Sequence, residues 1–61
     1  MNIAERRKRA GYTQTDLAKL MNVDQSAVSK WESGAAKPLK KLHEKLAQVL
    51  GCTVDELMKE D

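Results

Sequence analysis

Residues 13–34 read TQTDLAKLMNVDQSAVSKWESG, and this stretch predicts two short helices joined by a tight turn. Thr13 suits the N-cap of the first helix, because its hydroxyl can accept a hydrogen bond from a backbone N–H group of the first turn. Asp16 stands three residues later, where its carboxylate can accept a second hydrogen bond from the N-cap backbone. We therefore expect a helix that begins at Gln14 and runs to about Met21.

The turn and the second helix follow from the next residues. Asn22 tolerates the left-handed conformation that ends many helices, and Val23 can then fold back onto the core. Asp24 is a favourable N-cap for a helix that starts at Gln25. Gly34 predicts the end of that helix, since glycine is common just past a helix C-terminus.

The second helix separates polar from apolar residues. At about 100° per residue, its polar residues share one arc of roughly 140°, which we call the polar arc: Gln25, Ser26, Ser29, Lys30 and Ser33. The opposite side carries Ala27, Val28 and Trp31. Trp31 is therefore interpreted as a core residue, the alternative being a residue that stacks on bases.

The polar arc contains no acidic residue, and this indicates a nucleic-acid partner. The alternative is an ordinary solvated face, but such faces commonly pair Glu with Lys four residues apart. Small hydroxyl groups, one Gln and one Lys suit the major groove of DNA, where Gln can bond N6 and N7 of adenine and Lys can donate to guanine. The residues predicted to contact bases are Gln25, Ser26, Ser29 and Lys30.

Length and composition predict a single domain over residues 1–61, with the helix-turn-helix at about residues 14–33. A chain of 61 residues buries only about 60% of its unfolded surface, so we expect modest stability. No stretch approaches the roughly 20 apolar residues that span a membrane, and the N-terminus lacks a signal-peptide pattern. We expect a cytoplasmic protein without a membrane partner.

The sequence gives little support for catalysis or metal binding. The chain has one Cys and one His, which cannot supply a four-ligand zinc site by themselves. Cys52 is interpreted as a small buried hydrophobe, and His43 as a partly exposed surface residue. These two are the one conceivable pair of nucleophile and base, and no third group is evident to orient them. We predict no enzymatic activity, no metal and no cofactor.

The apolar residues outline a helical core. The helix-turn-helix supplies Leu17, Ala18, Met21, Val23, Val28 and Trp31, joined by Ile3 and Ala10 from helix one. Pro38 is expected to open helix four, whose apolar stripe ends at Gly51 and comprises Leu39, Leu42, Leu46, Val49 and Leu50. Thr53 and Glu56 predict a capping box that begins helix five.

The chain resembles the lambda-repressor and Cro-like (XRE-type) helix-turn-helix family over about residues 3–57. The resemblance lies in the segments TQTDLA, VDQSAVSKWESG and LAQVLGCTVDEL, with a proline four residues after Gly34. It implies an all-α, compact five-helix domain whose third helix reads operator bases while the second crosses the DNA backbone. The implied function is sequence-specific binding of double-stranded DNA by a small, phage-like repressor that occludes a promoter or operator in a bacterial or phage-infected cell, where it would be nucleoid-associated.

The resemblance also implies roles for particular residues. Arg7 and Glu32 are expected to form a structural ion pair that clamps helix one to the third helix. Gln14 is expected to touch phosphate and to brace Gln25. A phosphate at Gln14 also agrees with the preference of helix N-termini for anions.

Charge is unevenly distributed along the chain. The net charge is +3 over residues 1–10, +1 over residues 11–40 and −2 over residues 41–61. Phosphate contacts supply much of non-specific affinity, so docking through the N-terminal half is favoured, with the C-terminal Lys-Glu-Asp tail directed away. The predicted backbone contacts are Gln14, Ser33, Lys37, Arg6 and Arg9, with Asn22 and Lys40 as further candidates.

Helix five carries more apolar surface than a short cap needs. By resemblance, Val54, Leu57 and Met58 are expected to form part of a weak two-fold homodimer on a pseudo-palindromic operator. The competing interpretation is a protein-interaction module, such as an antitoxin or an anti-repressor, built on the same fold. Weak dependence of binding on salt would favour that alternative.

Overall fold

The computed structural model describes residues 1–59, and these residues form five α-helices and no β-strand. The helices are α1 (Ile3–Arg9), α2 (Gln14–Met21), α3 (Gln25–Ser33), α4 (His43–Leu50) and α5 (Val54–Met58). The predicted all-α, five-helix architecture is confirmed. The expectation for the C-terminal tail concerns Glu60 and Asp61, which lie outside the described residues.

A reciprocal pair of hydrogen bonds begins α2. The backbone N–H of Asp16 donates to Thr13 Oγ1 at 3.0 Å, and the backbone N–H of Thr13 donates to Asp16 Oδ2 at 2.9 Å. These bonds hold the pKa of the Asp16 carboxyl below its ordinary value, chiefly through the backbone N–H of Thr13. The predicted capping box is confirmed, and it places Gln14 at the first position of α2.

The turn between α2 and α3 has the predicted left-handed residue. Asn22 has φ 58° and ψ 45°, and the backbone N–H of Val23 returns to the carbonyl of Ala18 at 2.9 Å. Asp24 occupies the N-cap position of α3 in an extended conformation, but its side chain makes no capping hydrogen bond. The expected side-chain cap at Asp24 is therefore wrong, although α3 does begin at Gln25.

Helices α2 and α4 each contribute three buried apolar residues to the core, whereas α1, α3 and α5 contribute one each. Helix α2 packs closely on α3. The buried apolar residues are Ile3, Leu17, Ala18, Met21, Val28, Leu46, Ala47, Leu50 and Leu57. Val23, Trp31 and Cys52 are partly buried and pack against this core. The core side of α3 is thereby held on α2, which leaves the opposite side of α3 at the surface.

Ala10 is exposed, contrary to the expectation that it joins the core. The reason is that α1 ends at Arg9 and the chain reverses at Gly11, whose φ is +83°. The backbone N–H of Tyr12 then donates to the carbonyl of Arg7 at 3.1 Å. Tyr12, rather than Ala10, is the residue that packs against the core from this turn.

Helix four begins later than predicted. Pro38 is buried but does not open a helix, because Leu39 has an extended ψ of 145° and a 3-10 turn, Lys40–Leu42, intervenes before α4. Leu39 is 61% exposed and is not part of the core stripe. His43 starts α4, half-buried, with Nε2 at 3.2 Å from the carbonyl oxygen of Pro38. That contact ties the irregular segment to the start of α4.

Helix α5 begins with the second predicted capping box. The backbone N–H of Glu56 donates to Thr53 Oγ1 at 3.1 Å, and the backbone N–H of Thr53 donates to Glu56 Oε1 at 3.0 Å. Leu57 is fully buried, so the expectation that it forms part of a dimer surface is wrong. Met58 is 45% exposed and Val54 is half-buried, and these two carry the accessible apolar surface of α5.

Candidate nucleic-acid interface

The polar arc of α3 lies at the surface. All five of its residues are exposed: Gln25, Ser26, Ser29, Lys30 and Ser33. On the opposite side, Val28 is fully buried, and Ala27 and Trp31 are partly buried. The α3 helix thus presents hydrogen-bonding groups and one positive charge outward, and no carboxylate belongs to that arc.

A buried ion pair joins α1 to the end of α3. Arg7 Nε donates to Glu32 Oε2 at 2.6 Å, and Arg7 Nη2 donates to Glu32 Oε1 at 3.1 Å. Only 11% of the Arg7 side chain and 9% of the Glu32 side chain are exposed. Arg7 Nη1 also donates to the carbonyl of Tyr12 at 2.8 Å, so the guanidinium holds the α1–α2 turn as well.

The ion pair fixes the charge state of Glu32. Burial alone would raise the pKa of the Glu32 carboxyl, because removal from water disfavours the charged form. Hydrogen bonds from Arg7 and Gln14, with the positive charge of Arg7, outweigh that effect and hold the pKa below its ordinary value. The hydrogen bond to Glu32 likewise raises the pKa of Arg7. Both groups are therefore charged at neutral pH.

Gln14 connects this ion pair to the first residue of α3. Its Nε2 donates to Glu32 Oε1 at 3.0 Å, and its Oε1 accepts from Gln25 Nε2 at 2.6 Å. The start of α2 and the start of α3 are thereby joined side chain to side chain. Gln14 is half-buried and Gln25 is exposed, so the connection runs from the interior to the surface.

Ser33 and Lys37 lie in and after the last turn of α3. The Ser33 hydroxyl donates to the carbonyl of Lys30 at 3.2 Å and accepts from the backbone N–H of Ala35 at 3.3 Å. Gly34 ends the helix with φ +84°, in the left-handed region that favours glycine. Ser33 therefore orders the helix end, while Lys37 is exposed beyond it.

Two arginines predicted to contact phosphate are engaged elsewhere. Arg6 Nε donates to Asn2 Oδ1 at 3.1 Å, and Arg6 Nη2 lies 3.9 Å from Glu56 Oε2 on α5. Arg9 Nη2 donates to Glu5 Oε1 at 2.6 Å across one exposed turn of α1. A phosphate would have to displace these carboxylates, and Arg6 points toward α5 rather than toward α3.

Sequence reasoning did not find two of these contacts. Neither the bond from Gln14 to Glu32 nor the approach of Arg6 to Glu56 was predicted. Both join residues that are far apart in sequence. The one available signal was the family resemblance, which paired Arg7 with Glu32 and Gln14 with Gln25 and so joined both Arg7 and Gln14 to α3.

The described part of the chain, residues 1–59, contains no cluster of three or more His, Cys, Asp or Glu side chains that could hold a metal ion. Its surface hollows are open, and one beside the end of α3 is lined by Trp31, Ser33, Gly34 and Lys37 among others. None of the helices in these residues is both long and apolar enough to cross a membrane.

A comparison with protein families agrees with this geometry. A family model described as helix-turn-helix matches residues 3–57, which is most of the chain. Neither the curated proteins nor the solved structures yield a match. The matched range includes all five α-helices apart from the last residue of α5.

Proposed function

Because the chain belongs to the helix-turn-helix family of DNA-binding regulators, we propose that it reads specific bases of double-stranded DNA through the polar arc of α3. The base contacts are assigned to Gln25, Ser26, Ser29 and Lys30. The observation that carries this proposal is an exposed helix face without acids, whose first residue is held in place by Gln14. A helix with such a face can enter the major groove and bond base edges.

The start of α2 supplies a phosphate contact in this proposal. Helix N-termini favour anions, and Gln14 stands at the first position of α2 beside Gln25. Ser33 and Lys37 would contact the backbone at the other end of α3. Arg6 and Arg9 would add phosphate contacts only by leaving Glu56 and Glu5, so we expect their contribution to be small.

The regulatory mechanism that we propose is occlusion. A bound domain would cover a promoter or operator and so repress transcription. We propose a bacterial or phage genome as the target.

A weak homodimer on a pseudo-palindromic operator is part of the proposal. Met58, at 45% exposure, and the half-buried Val54 line an open hollow, together with Met1, Pro38 and other residues. Two copies joined by this surface would present two α3 helices about one turn of DNA apart. Sedimentation with a two-half-site duplex should give two copies per duplex, reduced to one by Met58→Lys, whereas one parent copy per duplex would contradict the dimer.

Selection of bound duplexes from a random DNA pool tests the main proposal. We expect enrichment of a two-fold-related motif, and an affinity whose logarithm falls with the logarithm of salt at about −0.9 per phosphate contacted. The variants Gln25→Ala and Lys30→Ala should each relax the motif at particular positions. No enrichment at low salt, or binding that scarcely depends on salt, would instead favour a protein-interaction module.

A further inference from the structure

Four side chains form one continuous chain of hydrogen bonds, which we call the relay: Arg7, Glu32, Gln14 and Gln25. It begins at the buried guanidinium of Arg7 and ends at the exposed amide of Gln25. Every bond in the relay is between 2.6 and 3.1 Å. The relay therefore connects the interior of the domain to the first residue of α3.

Each bond in the relay has a direction set by chemistry. An ionised carboxylate has no proton to donate, so Glu32 can only accept. Gln14 must therefore turn its amide nitrogen toward Glu32, and its oxygen faces Gln25 as a result. Gln25 must in turn donate its own nitrogen to that oxygen, as the 2.6 Å bond from Nε2 to Oε1 shows. Reversing any bond would place two donors or two acceptors together.

The direction of the relay determines what Gln25 can offer to a base. A glutamine amide has two N–H protons and one acceptor oxygen. One proton is used by Gln14, and among residues 1–59 the Gln25 side chain makes no other hydrogen bond. One N–H and the oxygen thus stay available. Adenine presents an acceptor at N7 and a donor at N6, which match this pair, whereas guanine presents two acceptors at N7 and O6.

We propose that Glu32 is a specificity-positioning residue, because its negative charge, acting through the Gln14 amide, orients Gln25 to favour adenine over guanine. This inference rests on the proposed function, since it requires Gln25 to meet a base. It assigns Glu32 a role that stabilising α1 against α3 would not explain. Glu32 touches no base and acts through Gln14 and Gln25.

The sharpest test reverses the relay while leaving the ion pair of Arg7 with Glu32 intact. In Gln14→Lys the new ammonium can donate to Glu32 but can accept from nothing, so Gln25 must turn its oxygen toward it. Gln25 would then present two N–H groups to the base. The readout is the ratio of affinities for two duplexes that differ only by A·T or G·C at the base pair read by Gln25. That base pair is the one at which Gln25→Ala loses its preference.

We expect the parent to prefer adenine by about 5-fold or more, and Gln14→Lys to abolish or reverse that preference. Gln14→Met, which has neither a donor nor an acceptor of comparable strength, should weaken the preference without favouring guanine, because a freed Gln25 can still bond N6 and N7 of adenine. Added phosphate attraction by the lysine would raise the affinity for both duplexes together, so the ratio is insensitive to it. An unchanged ratio in Gln14→Lys would overturn the proposal.

Glu32→Gln tests the charge itself. A neutral amide can donate or accept, so the Gln14 amide is free to turn over, and the adenine preference should fall by roughly 3-fold without reversing. Circular dichroism shows whether the Glu32→Gln protein is folded. If it is folded and keeps the full adenine preference, the proposal is wrong. If this variant does not fold, Gln14→Lys decides, because it retains Arg7 and Glu32.

Two controls separate failure of the relay from failure of the proposed function. In a Gln25→Ala background, adding Gln14→Lys should leave the adenine-to-guanine ratio unchanged, whereas a further change would show that Gln14 acts by another route. A parent protein that selects no motif would refute base reading itself. A parent that selects a motif but whose ratio is unaffected by Gln14→Lys would refute the relay alone.

Discussion

Arg6 and Arg7 are neighbours on α1, yet they join that helix to opposite parts of the molecule. Arg7 makes two bonds to Glu32 on α3, and both side chains are about nine-tenths buried. Arg6 approaches Glu56 on α5 at 3.9 Å, and the Glu56 side chain is 53% exposed. One arginine thus holds the region that we assign to base reading, and the other holds the C-terminal helix.

The difference shows that position on the helix, rather than residue type, determines what each arginine does. Consecutive helical residues point about 100° apart, so one turn of basic sequence faces several directions. A buried pair is costly to break, because removing one partner leaves the other charge without compensation. An exposed pair is screened by water and contributes little. The run from Arg6 to Arg9 is therefore divided between structural and solvated roles.

The largest expected effect comes from breaking the buried pair. Arg7→Met should lower the free energy of unfolding by about 3–5 kcal/mol, since Glu32 is left buried and unpaired. Arg6→Met should cost no more than about 1 kcal/mol. Urea unfolding of the two variants measures this contrast directly. Equal losses would show that the two pairs stabilise the fold equally, contrary to this prediction.

Acid should weaken the same pair by a smaller amount. The pKa of Glu32 lies below its ordinary value of 4.5, so folding favours the charged carboxylate. The resulting stability is complete above the unfolded pKa and is lost as pH falls through the folded pKa. We expect the difference in unfolding free energy between the parent and Glu32→Gln to shrink below about pH 4.5.

Urea unfolding from pH 7 to pH 3 checks this expectation. Asp16 and Glu56 also have lowered pKa values, because each carboxylate accepts a backbone N–H. The Glu32→Gln protein should therefore still lose stability in acid, but less steeply than the parent. A constant difference between the two proteins across this range would show that Glu32 does not titrate with folding.

A smaller effect should distinguish the start of α2 from the start of α5. Both helices begin with the same kind of capping box, at Thr13 and at Thr53. Thr13→Ala and Thr53→Ala should each cost about 1 kcal/mol of stability. Only Thr13→Ala should also weaken specific DNA binding, because its helix start holds Gln14. The affinities are compared at matched folded fractions. Equal losses of DNA affinity in both variants would contradict the prediction that only the start of α2 supports DNA binding.

Local signals in the sequence were sufficient for much of the fold. The spacing of Thr13 to Asp16 and of Thr53 to Glu56 predicts both capping boxes, because such bonds form within one helical turn. Asn22 predicts the left-handed end of α2 for the same local reason. The boundaries of the helix-turn-helix depend on these interactions between nearby residues, and the spacing of those residues in the sequence predicts them directly.

The wrong predictions concern residues at or near helix ends, where the path of the chain changes. Pro38 can open a helix, but here it is buried and Leu39 stays extended, so α4 starts at His43. The apolar character of Ala10 predicts a core residue, although the reversal at Gly11 turns it to solvent. An apolar residue near a helix end can lie on either side of the last turn, and periodicity alone does not decide which.

Long-range contacts also explain what was missed in the candidate interface. The family resemblance predicts the pair of Arg7 with Glu32, whereas the bond from Gln14 to Glu32 and the contact of Arg6 with Glu56 join residues that only the folded chain brings together. No local pattern specifies which of four consecutive basic residues will face α3. The polar arc itself could be predicted, because it depends only on the period of one helix.

The most direct test compares Gln25→Ala with Arg6→Ala on the selected duplex and on a duplex altered at one base pair. We expect Gln25→Ala to lose about 1–3 kcal/mol of binding free energy on the selected duplex and no longer to distinguish the two duplexes, while Arg6→Ala keeps the parent's preference between them. Full retention of base preference by Gln25→Ala would contradict the assignment of base reading to the start of α3.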